Sequence, residues 1–277
     1  MISIVTPSLN QSKWLRLAVA SVADQKGVTV EHIVQDANSD DGTRDWLARD
    51  KRVRSFFESD QGMYDAINRG LARAGGDVCA YLNCDEQYLP GALATVAKFF
   101  DSRPAVELLF ADVILVDKRG EPISYRRSIL PTQRHLRVAH LNTSTCATFF
   151  RRRLLERGFY FDPHWKAIGD AVWIDRLLSA NVRMAMLPKP VSVFAFTGEN
   201  LGASTVSRTE GETWHRQLGK ASQGFRSEIV WIHRLKKMMA GAYWPRRVEI
   251  DIFTLQSPEK RQHFTRKGIG FYWPGLD

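Results

Sequence analysis

The alternation of short β-branched runs with amphipathic stretches over the first hundred residues constrains this chain more than any other feature. Runs at 2–6, 31–36, 53–58 and 77–82 are separated by helical patterns at 14–23 and 64–74. Leu15, Val19 and Val22 share one face of the first pattern, and Ile67 and Leu71 one face of the second. Such alternation predicts βαβ units around a mostly parallel sheet with helices on both faces. Asp41-Gly42-Thr43 reads as a turn and helix start. Pro90 reads as the first-turn residue of a helix running to Phe100. At 277 residues the chain suits one large domain, or a core with an appendage.

Beyond Pro104 the rhythm changes. Runs at 108–116 and 123–126 around Asp117-Lys118-Arg119-Gly120 predict a hairpin. Further strands are expected at 147–151, 182–186 and 191–196, with a helix at 170–180. From Thr205 onward the sequence turns basic and aromatic. That last stretch holds 13 Lys and Arg against 7 Asp and Glu, so +6 of the chain's +9 net charge lies there. A charged fraction of 25% with 44% hydrophobic residues excludes a disordered or low-complexity chain. The basic balance predicts an anionic partner: nucleic acid, a nucleotide diphosphate or an anionic membrane face. No apolar run approaches the ~20 residues of a membrane span. Met1 leads into Ile2-Ser3-Ile4-Val5 without the marks of a signal peptide, and Cys79, Cys84 and Cys146 show no CxxC pattern. A cytoplasmic protein with reduced thiols is expected.

Ligands of open parallel sheets bind beyond the carboxyl ends of the strands. Three predicted strands end there in acidic residues: Asp36, Asp60, and Asp85 with Glu86. A single Asp in such a place is explained by a turn or a helix cap. Three at successive strand ends converge on one edge and point to a ligand. Asp36 suits a base with an imide or amide N–H, hence uracil, thymine or guanine. Asp85 and Glu86, with Asn83, are oxygen donors of the kind that hold Mg²⁺ or Mn²⁺ alongside substrate phosphates. Neither a P-loop nor a GxGxxG follows any of the strands.

Val5-Thr6-Pro7-Ser8-Leu9-Asn10, Gln35-Asp36-Ala37-Asn38-Ser39-Asp40-Asp41-Gly42-Thr43, Ser59-Asp60-Gln61-Gly62-Met63-Tyr64-Asp65-Ala66-Ile67-Asn68-Arg69-Gly70 and Tyr81-Leu82-Asn83-Cys84-Asp85-Glu86 stand in order at βα spacing. Together they resemble the family 2 glycosyltransferases of the GT-A fold. The resemblance implies inverting, metal-dependent transfer of a sugar from a nucleotide diphosphate sugar, with a UDP-sugar expected. It puts Pro7, Asp36, Asp60 and Asp85 at the nucleotide. Thr6, Ser8, Asn10, Asn38, Ser39, Tyr64, Asp65, Asn68 and Asn83 from the same motifs complete the expected donor site. Asp85 and Glu86 are the expected ligands for Mg²⁺ or Mn²⁺. The family's metal motif usually reads Asp-x-Asp or ends Asp-Asp, whereas this chain has Asn83-Cys84-Asp85-Glu86. The changes of character at Pro104 and Thr205 set the expected units: a catalytic unit over 1–204, split into a donor half (1–103) and an acceptor half (104–204). A basic extension over 205–277 would follow.

Ile168-Gly169-Asp170-Ala171-Val172-Trp173 resembles the segment that carries the family's base, which puts Asp170 in that role; an Asp capping a helix is the alternative. Phe196-Thr197-Gly198-Glu199-Asn200-Leu201-Gly202 is read either as a closing loop or as a plain surface turn. In the extension, residues 229–239 have helical spacing and mix Trp231, Leu235 and Met238 with basic residues. Either these apolar side chains pack on the catalytic unit, or the stretch lies on an anionic membrane. The expected acceptor is a glycan or a lipid-linked sugar. Two rival readings remain at this point. A nucleotidyltransferase would want a Gly-rich basic loop after the first strand, and a nucleic-acid-binding protein would want no acidic cluster at the ligand edge. Nucleic acid is therefore not the expected partner.

Overall fold

The computed structural model describes residues 1–198, 200, 204–218 and 225–271. Its first part follows the sequence pattern: β1 (Ile2–Ser8), α1 (Ser12–Ala23), β2 (Val30–Asp36), α2 (Thr43–Leu47), β3 (Arg54–Phe57), α3 (Met63–Ala72) and β4 (Val78–Tyr81). Then come β5 (Glu86–Tyr88), α4 (Ala92–Ser102), β6 (Leu108–Val116), β7 (Pro122–Arg126), α5 (Gln133–Val138), β8 (Thr148–Arg151), α6 (Arg153–Glu156), α7 (Gly169–Ser179) and β9 (Met184–Ala195). The basic extension forms α8 (Thr205–Gln217), α9 (Arg226–Met239), β10 (Arg246–Thr254) and β11 (Ser257–Ile269).

The main sheet runs β3-β2-β1-β4-β8-β6-β9-β5, with β7 paired to β6. β1 to β4 are mutually parallel; β8 reverses between β4 and β6, and β9 runs parallel to β6. The fold is a mixed, mostly parallel sheet flanked by helices, as the alternation of the sequence predicts. Every residue of β1 and of β6 is buried, as expected of strands covered on both faces. The two faces alternate along β1. Ile2 and Ile4 join Leu93, Phe100 and Phe149 under α1 and α4, whereas Val5 joins Ile67, Phe110, Phe150 and Trp173 under α3 and α7. α3 lies so close on β1 that a Cβ at Gly70 would stand 2.4 Å from Val5 Cγ1.

Several expectations are revised. The segment after Asp85 forms the three-residue strand β5, too short to announce itself. The following helix begins at Ala92 with Gly91 in the left-handed conformation at its cap (φ 69°), so Pro90 stands outside it. The two strands expected at 182–186 and 191–196 are one strand, β9, whose pairing with β6 jumps from Ala111–Leu187 to Asp112–Pro190. Pro188 and Lys189 fall in that bulge, where no ladder N–H is required of the prolines. The β10–β11 hairpin packs Val248, Ile250, Ile252 and Ile269 onto Leu89, Ile114, Tyr125 and Val193. Gln87 fixes it further, exchanging a 2.9 Å and a 3.0 Å hydrogen bond with the backbone of Phe253. Among the described residues no helix is long and apolar enough to cross a membrane. Cys79, Cys84 and Cys146 are free and buried.

Candidate active site

A cleft of about 440 Å³ opens at the carboxyl edge of β1, β2 and β4, within the size range of small-molecule sites. Pro7, Ser8, Asp60, Tyr64, Asn83, Asp85 and Asp170 line it, so residues from all four motifs and from the downstream segment meet there, except that the second motif contributes only Ala37. Asp36 itself is fully buried below the rim. Its two oxygens accept from the Ser39 N–H (2.8 Å) and Ser39 hydroxyl (2.7 Å). Asn10 and Asn38 brace the rim. The Asn10 side chain accepts from the Asp40 N–H at 2.9 Å, and Asn38 donates to Ser59 at 2.9 Å.

Other expected residues point elsewhere. Thr6 is buried against His32, 2.9 Å away. Asp65 accepts from the Gln61 N–H and pairs with Arg69 at 2.8 Å, one turn along α3. Asn68 exchanges two hydrogen bonds with the Phe161 backbone (2.8 and 3.0 Å). Glu86 is fully buried and does not reach the cleft. Its carboxyl accepts from the Asn83 N–H (2.7 Å) and the Thr145 hydroxyl (3.3 Å), a bracing role for the loop. Burial pushes its pKa up, and the neighbouring Asp85 charge pushes the same way.

Asp85 faces the cleft. The Asn200 amide donates to its Oδ2 at 2.8 Å and to the Ala195 carbonyl at 3.0 Å, tying the end of β9 to the acid. Burial raises the Asp85 pKa. Among the described residues no three His, Cys, Asp or Glu side chains converge, so an all-protein metal cage is not formed. Mg²⁺ needs less: one or two carboxylates, with phosphate oxygens and waters completing the shell. Asp85 offers the carboxylate, and the buried Asn83 Oδ1 beside it has no hydrogen-bond partner. These two oxygens fit a divalent cation shared with a diphosphate.

Asp170 stands in the first turn of α7. Its Oδ1 accepts from the Tyr64 hydroxyl (3.2 Å) and the Ala171 N–H (2.8 Å). Tyr64 is held by stacking on Phe161, itself stacked on Trp173. Its ring lies flat against Gly169, where a Cβ would come within 2.6 Å of it. Burial raises the Asp170 carboxyl above the ordinary range, against both hydrogen bonds. A carboxylate so placed takes a proton more readily than one in water. The entry to α7 is pinned from outside: Glu210 on α8 accepts from the N–H groups of Lys166 (2.7 Å), Ala167 (2.9 Å) and Ile168 (3.2 Å). Trp214, one turn further along α8, is buried in the core cluster shared with Trp173.

Two further groups line the cleft that the sequence did not single out, Trp14 and the run Thr143-Ser144-Thr145. Phe196, Thr197 and Asn200 of the segment read as a closing loop or surface turn line it as well. The three adjacent hydroxyl residues are a visible polar signal in the sequence. Glu199, Leu201 and Gly202 of the expected closing loop lie outside the described residues.

The model of glycosyl transferase family 2 matches residues 3–159, more than half of the chain. The chain belongs to glycosyl transferase family 2. An uncharacterized glycosyltransferase of Nostoc is 24% identical over 79% of this family 2 chain and 71% of its own length. TarS of S. aureus in complex with UDP-GlcNAc superposes with a TM-score of 0.61 at 20% identity, covering 77% of this chain and 64% of TarS. The mannosyltransferase PcManGT of Pyrobaculum calidifontis, in complex with GDP-Man and Mn²⁺, gives 0.58 at 19% identity over 82% and 67%. This family 2 glycosyltransferase thus shares their fold. Family membership replaces the nucleotidyl-transfer and nucleic-acid readings with glycosyl transfer.

Proposed function

We propose that this glycosyltransferase moves a sugar, with inversion, from a UDP-sugar to a hydroxyl of a glycan or lipid-linked acceptor at the cytoplasmic face of a membrane. The observation that carries the reading is that Asp85, on the donor motifs, and Asp170, on α7, line one cleft. Asp36 is the proposed reader of the base: Ser39 orients its carboxylate, and each oxygen keeps a lone pair for an imide N–H. Pro7, Ser8 and Asp60 would flank the nucleotide. A divalent cation, Mg²⁺ or Mn²⁺, held by Asp85 with Asn83 beside it, would neutralise the developing diphosphate charge.

Asp170 then takes the proton of the acceptor hydroxyl. The freed oxygen attacks the anomeric carbon as the bond to the diphosphate oxygen breaks on the opposite side. Tyr64 orients the base by its hydrogen bond to Oδ1. Complexes of fold neighbours with UDP-GlcNAc and with GDP-Man and Mn²⁺ support a nucleotide sugar and a divalent ion as the ligands.

Calorimetric titration in the presence of Mn²⁺ tests the donor. UDP or dTDP should bind more tightly than ADP or CDP, and equal affinity for all four would remove Asp36 from its role. Asp85→Ala should abolish turnover and weaken UDP binding with an unchanged circular dichroism spectrum. Full turnover in excess EDTA would overturn the metal dependence.

A further inference from the structure

A surface helix of a globular protein ordinarily turns its apolar stripe inward and its charges outward. α9 turns an apolar stripe outward instead. Its buried residues are His233 and Lys237. The His233 ring stacks on His135 of α5 at 3.5 Å, and Lys237 Nζ lies 3.7 Å from the Phe271 ring. The opposite side carries Trp231 (64% exposed), Ile232 (47%), Met238 (51%) and Met239 (72%), with half-buried Leu235 among them.

At about 100° per residue these five side chains span an arc of about 120°, centred about 180° from the buried side. Arg234 lies about 40° beyond one edge of the arc and Lys236 about 40° beyond the other. Both are exposed, and Glu228 is the single acid within the arc, at its N-terminal end. The chain on either side extends the feature, with Phe225 70% exposed before the helix and Trp244 68% exposed after it. No other part of the described surface gathers large apolar side chains in this way.

We propose that this outward face of α9 docks the enzyme on an anionic lipid bilayer. Trp231, Met238, Met239 and Trp244 enter the boundary between headgroups and acyl chains, while Arg234 and Lys236 meet lipid phosphates at its margins. The charge pattern selects this occupant. A basic residue on each flank of an apolar stripe matches an interfacial helix, and each cation strengthens binding to an anionic leaflet about fivefold. A stripe made to meet a second copy of the chain would set those like charges against each other. The inference deepens the membrane-face reading of the acceptor by giving it a surface. Its test requires no turnover, so its failure leaves the donor site as proposed.

The assay is co-sedimentation of the full chain with vesicles of phosphatidylglycerol and phosphatidylcholine in equal parts, against vesicles of phosphatidylcholine alone. The protein should pellet with the anionic vesicles at low salt, and the bound fraction should fall as salt is raised. Trp231→Ser combined with Met239→Ser should weaken partitioning at least about tenfold, the worth of one buried large apolar side chain. Arg234→Gln combined with Lys236→Gln should weaken binding and remove most of the salt dependence. UDP binding by each variant serves as the check of folding, since these residues stand outside the cleft. Retention in the supernatant with anionic vesicles overturns the proposal, as does pelleting that neither pair of substitutions alters. Sedimentation velocity covers the rival occupant: a dimer that Trp231→Glu splits, in a protein that ignores vesicles, assigns the face to a second copy instead.

Discussion

Glu210→Ala is the sharpest probe of how the candidate base is held. One carboxylate on α8 accepts three consecutive backbone N–H groups at 2.7, 2.9 and 3.2 Å, immediately before the helix that carries Asp170. Hydrogen bonds to a charged acceptor contribute about 1.5–3 kcal/mol each when buried. Lys166 is exposed, while Ala167 and Ile168 are half-buried, so water replaces part of what is lost. The discounted cost is about 1–2 kcal/mol, which for a domain of this size lowers Tm by roughly 2–8 °C. Turnover should fall as well, because Ala167 and Asp170 both line the cleft and small misplacements of a base are costly. Glu210→Gln keeps an acceptor but not the charge, and should recover about half the loss in a thermal-melt and kcat comparison. An alanine variant that melts within about 1 °C of wild type and turns over normally would refute the pinning argument.

Asp170→Asn should leave UDP affinity nearly unchanged and cut kcat by roughly 10²–10⁴, the usual worth of a positioned base; a loss within about threefold favours a mere helix cap. Gly169→Ala drives a Cβ to 2.6 Å from the Tyr64 ring, so it should lower Tm and kcat together, whereas a variant with wild-type values of both would show that Tyr64 moves aside freely. Stability should also fall with pH. Burial pushes His135 down to about 3 and His233 down to about 4, with neighbouring cations acting in the same direction. The unfolded chain takes up its histidine protons near pH 6.5, whereas the native one does not. The unfolding free energy should therefore drop between about pH 6.5 and 4, by up to about 1.4 kcal/mol per pH unit for each histidine, and the urea midpoint with it. A double variant, His135→Gln with His233→Gln, should flatten that slope, and a level wild-type midpoint from pH 7 to pH 5 would contradict the assignment.

The sheet from β1 to β4 was legible because its strands and helices carry unmixed periods, so that residues two or four apart sort themselves onto faces. The placement of Asp60, Asp85 and Asp170 at one cleft was legible because each stands just past a strand or at a helix start on the same edge, where three acids together exceed what turns and caps explain. What escaped reading depends on distant pairings. Asp36 sits at its predicted strand end, but no pattern announces that Ser39, three residues on, orients its carboxylate through two hydrogen bonds. Glu86 reads as a metal ligand from its neighbours, but the turn from Asn83 into β5 sends its side chain beneath the cleft. Asn200 and Glu210 act across 115 residues and 44 residues of sequence, which only the fold brings together. α9 was legible as a helix but not in its rotation, because its stripe is as apolar as one that faces a core.

The hairpin that closes the chain sets a clock on the molecule's birth. Gln87 waits for a backbone partner 166 residues further on. Tyr125 donates its N–H to the carbonyl of Gly270, and Arg261 reaches back to Asp24. At ribosomal rates of about 5–20 residues per second, Leu89 and its neighbours stand uncovered for roughly ten to thirty seconds before β10 and β11 emerge. Throughout that interval the nascent enzyme presents an apolar sheet face to the cell. A nonsense codon between the end of β9 and residue 246 would therefore release a sticky, unfinished sheet in place of a smaller working enzyme, and its destination would be a chaperone or a protease.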